Sequence, residues 1–566
     1  MAIYGGEMPL RRDFRPLIFA LALLAITTLP YVIGFAQQND QWRFSGSLFG
    51  VDDGNSYLAK MRFGGRGEWD FSLFYTTEPH TGAALVFLPY ILPGQIAGRL
   101  VPETEPAHTT AILILWQLMR LAFDALYLWM LWRFISAFLA QRNARFAAFV
   151  MASIGGGVGW ILPFIGGGLP PEFYIPEGFS FLIILGLPHL ALARAAMLGG
   201  FLALFAAQRR SEKRAWIPYA LLAGCCWLIT GMSVPFYFGV IYVLLGMWGL
   251  LVWLRNRQFP TALFLRCLLA GLITLPFFAY YTLVFGQNQV FSVWSAQNQL
   301  PSPSPLVYLA AYLLPAIPAA AGTVYAWRQG RSETRWLLLI AWVVAAFTLV
   351  YLPINVQRRM LEGVIVPLSL LAACGLMNWA GERARRHVFA WIWVGATTIP
   401  AVLLLVGTLN TVLNPQMPVF RPAAEVAALE WLNRNAAPGD VILASFETGN
   451  AIPVYTHLRS FIGHGPETLE ADRKALQVEA LFSGTMTDEQ RAALLAGGGC
   501  LQNFPDLCGD PLNWLIFGES ERQMMAGGED AFRRMLAREG WRQVYNADGW
   551  EIYERIPPVG GQPPNP

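Results

Sequence analysis

The sequence predicts a polytopic α-helical membrane protein carrying a C-terminal α/β soluble domain on the extracytoplasmic side. Three observations carry that expectation. Apolar segments of spanning length recur from the N-terminus to about residue 410, arginine and lysine collect in alternate connections, and the composition turns polar beyond a proline-bearing stretch at 411–422. Of the 566 residues 55% are hydrophobic and only 14% charged, with a mean hydropathy of +0.42, too apolar for a soluble multidomain enzyme of this length. The net charge of +3 is spread over many loops with no basic tract, which excludes nucleic acid as a partner.

The first span follows arginines 11, 12 and 15 and runs for about twenty apolar residues, too long for an ordinary signal peptide, so its N-terminus is expected to be cytoplasmic. Further apolar segments lie at roughly 110–135, 144–167, 189–208, 215–232, 236–254, 261–285, 306–327, 336–354, 363–380 and 388–410. Arg142 with Arg145, 209-RRSEKR-214, Arg255 with Arg257, 328-RQGR-331 and 381-GERARRH-387 fall in every second connection, which places those connections inside. The connections at 168–188, 233–235 and 286–305 hold no lysine or arginine and belong outside. This alternation permits about eleven crossings, so 84-ALVFLPYILPGQIAGRL-100 is expected to be re-entrant or interfacial. The transmembrane domain then covers 1–410, with 37–109 as the first outer loop.

Beyond the linker at 411–422, residues 423–556 read as a soluble α/β domain. Helices are predicted in AAEVAALEWLNRN, PETLEADRKALQVEALF and TDEQRAALLAG, and strands in VILASF, NWLIFG, WRQVYN and WEIYER. No GxGxxG or P-loop is present, so no nucleotide is assigned. Cys500 and Cys508 flank a short loop and form a disulfide if the domain lies outside the cytoplasm; the tail 557–566 is expected to be disordered.

On this topology the unusual charges gather on one side. The first outer loop carries Asp52, Asp53, Lys60, Arg62, Glu68, Glu78 and His80, alternating with aromatics as short helices at a membrane surface would, and Tyr57 shares a helical face with Asp53. Glu177 precedes a half-length apolar hairpin, His189 opens the next span, and Arg194 lies about one and a half turns further in. Arg358 and Arg359 stand in an outer loop against the charge bias, well placed for a phosphate oxygen at headgroup depth. Arg120 and Asp124, one turn apart, are expected to neutralise each other. A carboxylate above a cationic, phosphate-sized pocket suits group transfer from a lipid-linked phosphate donor: the carboxylate accepts the proton of an incoming hydroxyl, and arginines stabilise charge on the leaving phosphate. A polyprenyl-phosphate sugar fits, since its tail stays in the bilayer.

The stretches 53-DGNSY-57, 67-GEW-69 and 78-EPH-80 occur in the order and at the spacing of a known pattern. The chain resembles the GT-C superfamily of integral-membrane glycosyltransferases, particularly the branch of protein O-mannosyltransferases and lipid A aminoarabinose transferases. Their first outer loop carries D-E-x-x-Y, a G-D-W-like turn and an E-K-P-like segment. The resemblance makes Asp53 the catalytic or acceptor-orienting aspartate and Glu78 the second acidic position. This sequence departs from the pattern in having Gly54 at the second acid, Asp52 before Asp53, and no lysine after Glu78.

The expected function is therefore an inverting glycosyltransferase of the plasma membrane, taking sugar from a polyprenyl-phosphate donor to a protein, lipid or glycan acceptor at the extracytoplasmic face. Asp53, Glu78 and Asp52 are its catalytic residues, and Tyr57, Arg62, His80, Glu177, His189, Arg194, Arg358 and Arg359 bind substrate. No cofactor is required on this reading; a divalent cation on Asp52, Asp53 and Glu78 is the alternative, since hard cations prefer oxygen ligands. The rival functions are a transporter or lipid flippase, which would show internal repeats not found here, and a non-catalytic membrane scaffold.

Overall fold

The computed structural model describes residues 13–210, 212, 214–525 and 528–556. The expected disordered tail, 557–566, and the first two N-terminal arginines lie outside the described residues. Among those described, eight helices are long and apolar enough to cross a membrane: Arg15–Ala36, Ala107–Phe138, Pro188–Gln208, Tyr237–Asn256, Thr261–Gln287, Pro305–Gln329, Gln357–Ala380 and Ala384–Leu413. The segment expected at 144–167 is a pair, Arg142–Ile154 and Gly159–Ile165, bent by 40°. The break falls in 155-GGGVG-159, where glycines withhold helical propensity. Ile217–Ser233 and Arg335–Leu349 are shorter apolar helices, and the latter stops before the 354 expected for it. Every apolar segment read from the sequence is thus helical, and the protein is an integral membrane protein with many spans.

The chain forms two compact units, and they do not follow the boundary expected at residue 410. The first comprises Met1–Leu29, Met119–Tyr281 and Gln299–Gly407. Its helix Ile365–Ala380 is buried except at Asn378 and Trp379, and glycines let it meet a neighbouring backbone. A Cβ on Gly375 would collide with the Pro318 carbonyl, and one on Gly322 with that of Leu371, so this helix and Pro305–Gln329 touch main chain to main chain.

The second unit gathers Pro30–Leu118, Thr282–Asn298 and Thr408–Pro566. The first loop therefore packs with the polar C-terminal region. The stretch 411–422 is not a free linker: a helix runs to Leu413, and Phe420–Pro422 pairs antiparallel with Trp42–Phe44, burying Phe44 and Phe420 against each other at 5.3 Å between rings. Within the loop lie the helices Val51–Gly65 and Leu88–Leu100; the latter, 13 residues, is about 20 Å long and too short to span.

The C-terminal sheet has five strands in the order Arg459–Ser460, Val441–Leu443, Trp514–Phe517, Trp550–Arg555, Trp541–Ala547. The first two junctions are parallel and the last two antiparallel. The final hairpin turns on Asp548 and Gly549, both at positive φ, the conformation that Asp-Gly favours in a two-residue turn. One sheet face packs with Phe461, Phe482, Phe532 and Leu536 into an apolar core. The three helices predicted in this region are present as Ala423–Asn435, Ala471–Phe482 and Asp488–Leu495; Phe446–Tyr455 and Glu529–Arg538 were not expected. Cys500 and Cys508 are joined by a disulfide across a small hairpin.

Candidate active site

In the second unit, the helix Val51–Gly65 begins at Gly50, whose left-handed φ of 53° turns the chain sharply, and its first turn carries Asp52 and Asp53. Carboxylates there face the positive end of the helix dipole. Asp53 keeps 54% of its side chain exposed, yet its Oδ1 lies 3.2 Å from Nε2 of the buried His464. Asp52 is exposed too; partial desolvation raises its carboxyl above the ordinary range, opposed by His464 and reinforced by the charge of Asp53. Tyr57, one turn on, stacks on Tyr90 at 4.7 Å and Trp116 at 6.1 Å.

Below this rim the helix buries cations. Lys60, fully buried, reaches Glu467 at 2.7 Å, and Ser56 donates to the same oxygen at 2.8 Å. Burial pulls the Lys60 ammonium down while Glu467 pulls it back up, the net direction being down. Burial would raise Glu467, but Lys60 and His464 outweigh it and hold its carboxyl below the ordinary value. Asn450 clasps the helix start, donating to the Asp52 carbonyl at 3.3 Å and accepting from Asn55 at 2.7 Å.

The remaining residues singled out in the loop are tied inward. Arg62 is spent on Glu103, the Val454 carbonyl and Thr109, at 2.6 Å each. Glu78, with no exposed surface, pairs with Lys474 at 2.9 Å and accepts from Thr76; these two overcome burial and depress its carboxyl. His80 donates through Nδ1 to the Glu78 carbonyl at 2.8 Å and accepts from the Leu73 amide at 2.9 Å, a neutral imidazole bracing the loop, with burial holding its pKa down. Glu78 is thus occupied by an ammonium, and among the described residues no group of three or more His, Cys, Asp or Glu is placed to hold a metal.

In the first unit a separate network fastens the loop that carries Arg358 and Arg359. Arg194, fully buried, forks onto Glu362 at 2.6 and 2.9 Å, and Tyr237 donates to the same carboxylate at 2.5 Å. Arg194 also holds the Glu177 carbonyl at 2.6 Å, while the Glu177 carboxylate faces Arg359 at 3.5 Å. Burial raises the Glu177 carboxyl, with Arg359 opposing. Arg358 lies over Tyr174 and Arg359 over Phe236, 5.3 and 5.8 Å from the ring centroids. His189 is half-buried at the start of Pro188–Gln208. Arg120 and Asp124 face each other at 3.6 Å inside their helix.

Sequence reasoning missed His464, Glu467, Asn450 and Lys474, as well as Glu362. The first three touch the Asp52–Lys60 segment from about 400 residues away in sequence, and the local sign is the short stretch 464-HGPET-468 in the loop after the strand Arg459–Ser460.

Among solved structures, the chain is similar to the apo oligosaccharyltransferase of Archaeoglobus fulgidus, at a TM-score of 0.53 and 12% identity, over 98% of this chain and 76% of that one. It is equally similar to the archaeal oligosaccharyltransferase AglB from Archaeoglobus fulgidus in complex with an inhibitory peptide and a dolichol-phosphate, at 0.53 and 12% over 97% and 76%. The chain shares the fold of these oligosaccharyltransferase structures. ArnT from Cupriavidus metallidurans, bound to undecaprenyl phosphate, matches at 0.47 and 13% over 98% of this chain and all of that one. No family model and no curated protein matches the sequence. The fold shared with the oligosaccharyltransferase extends over nearly the whole chain, and Asp52 and Asp53 lie in its first loop.

Proposed function

We propose that the protein is a glycosyltransferase that moves a sugar from a polyprenyl-phosphate donor to an acceptor at the extracytoplasmic face of the plasma membrane, with inversion. The observation that carries this reading is Asp53: within a GT-C fold, it is a solvent-reaching carboxylate at the first turn of the first-loop helix, fixed by a buried imidazole. The dolichol-phosphate bound to the oligosaccharyltransferase of the same fold supports the donor class.

Asp53 takes the proton of the acceptor hydroxyl as that oxygen attacks the anomeric carbon, and the bond to the donor phosphate breaks on the opposite side. The lipid phosphate leaves as an anion. Arg358 and Arg359 are proposed, on their chemistry alone, as phosphate-binding residues, because guanidinium groups offer phosphate paired hydrogen bonds. Glu78 and Arg62, held in buried pairs, shape the loop; they do not meet the substrate on this reading. Arg194 likewise positions the arginine loop through Glu362.

The test is transfer of radiolabel from synthetic undecaprenyl-phosphate hexoses and pentoses to membrane-extract acceptors. Asp53→Asn should lose activity by at least about a hundredfold, the scale of general base catalysis, while the protein remains extractable and monodisperse. Normal turnover by that variant would end the assignment. Arg358→Ala with Arg359→Ala should raise the apparent donor KM.

A further inference from the structure

The C-terminal region supplies a residue that acts on Asp53. His464 is 4% exposed, and its Nε2 is 3.2 Å from Asp53 Oδ1. Its ring has little freedom to turn. Tyr75 covers it, ring to ring at 5.6 Å, and Glu467 Oε1 faces Nδ1 at 3.8 Å, beyond hydrogen-bond length. Glu467 is itself held by Lys60 and Ser56, so the Lys60–Glu467 pair works as a fixed wall behind the imidazole. The backbone is pinned as well: the amides of Gly463 and His464 each donate to Thr468 Oγ1 at 3.3 Å, and the Thr468 amide returns to the His464 carbonyl at 2.8 Å. Gln297, from a third segment of the chain, donates to the carbonyls of Pro466 and Thr468 at 2.9 and 2.7 Å. Three distant stretches therefore converge to hold one imidazole beside one half-exposed carboxylate.

We propose that His464 is a positioning residue for the reaction: it donates Nε2–H to Asp53 Oδ1 and holds that carboxylate in place for the acceptor. The C-terminal region is then part of the catalytic apparatus. This rests on Asp53 being the base. The groups that bear on the imidazole are Asp53 and Asp52 from the first-loop helix, Lys60 through Glu467, Glu467 on its own loop, and the Tyr75 hydroxyl, which donates to the Asn450 carbonyl.

The experiment has two readouts on the full-length protein in detergent. The first is carbodiimide labelling of Asp53 against pH, followed by peptide mass spectrometry; it needs no substrate and reports the carboxyl's own titration. The second is the transfer assay above. Without a donor the Asp53 carboxylate loses its stabiliser, so in His464→Ala the labelling midpoint moves to higher pH, and in His464→Gln, which keeps an N–H, it moves less. Turnover in His464→Ala falls about tenfold to a hundredfold, the worth of a hydrogen bond to a charged group, while KM changes little. A residue that only fills space would move neither the midpoint nor kcat separately from KM. If His464→Ala does not accumulate, His464→Leu, which fills the space without a donor, decides, and a midpoint equal to that of the parent overturns the proposal. Activity of Asp53→Asn would defeat the base assignment without touching the labelling result, so the two failures are distinguishable.

Discussion

At the scale of single residues, the second unit is held by charges placed where water is absent, and each is costly alone. Lys60 and Glu467 bury an ion pair, and removing one partner strands the other. Lys60→Met should therefore lower stability by about 3–5 kcal/mol, whereas Lys60→Met combined with Glu467→Gln should recover most of that loss, as judged by thermal unfolding in detergent. Glu103 makes a pH-dependent counterpart. Burial would raise its carboxyl, but His457 and Arg62 outweigh that and bring it to about 2, below the ordinary 4.5. A depressed carboxylate stabilises the fold above its unfolded value and loses that contribution as pH falls. The stability due to Glu103 should thus be complete at neutral pH and disappear between about 4.5 and about 2. Glu103→Gln should melt earlier than the parent at neutral pH, with the gap narrowing through that window.

At the scale of elements, spans were legible and their partners were not. A run of twenty apolar residues has one economical form in a bilayer, so every apolar segment became a helix. The strands read in WRQVYN and WEIYER are likewise present, and the hairpin that Asp548–Gly549 closes between them was not read. Asp52 and Asp53 could be singled out because paired acids after a greasy span are unusual. Nothing local, however, tells Glu78 that its partner is Lys474, because contact across nearly 400 residues leaves no periodicity to read. The same blindness hid the packing role of 94-GQIAG-98, which the sequence places only within a re-entrant or interfacial helix. A Cβ on Gly94 would strike the Met61 carbonyl and one on Gly98 the Gly65 carbonyl, so these glycines set how closely Leu88–Leu100 meets Val51–Gly65. Gly94→Ala should cost about 1–3 kcal/mol by overpacking and lower the melting temperature. Gly246→Ala, with open space before its Cβ, should leave it unchanged or slightly raised.

At the scale of the whole molecule, the soluble region is not a bead on a string. The loop expected to belong to the transmembrane domain draws the partners of its buried charges from residues beyond 440: Glu467 for Lys60, Lys474 for Glu78, the Val454 carbonyl for Arg62. Strand Trp42–Phe44 takes its partner from Phe420–Pro422. A chain ending at residue 422 would keep the strand pair but leave Lys60 without its carboxylate and Glu78 without its ammonium. Two stranded buried charges exceed what a small unit can absorb, given total stabilities of about 5–15 kcal/mol. The truncated protein should therefore expose residues 37–109 to protease, seen as new cleavage sites in that loop by peptide mass spectrometry, and transfer activity should vanish with them. A separable C-terminal domain makes the opposite forecast, since its removal would leave the loop's cleavage pattern as it stands in the intact chain. The pattern in 37–109 decides between the two.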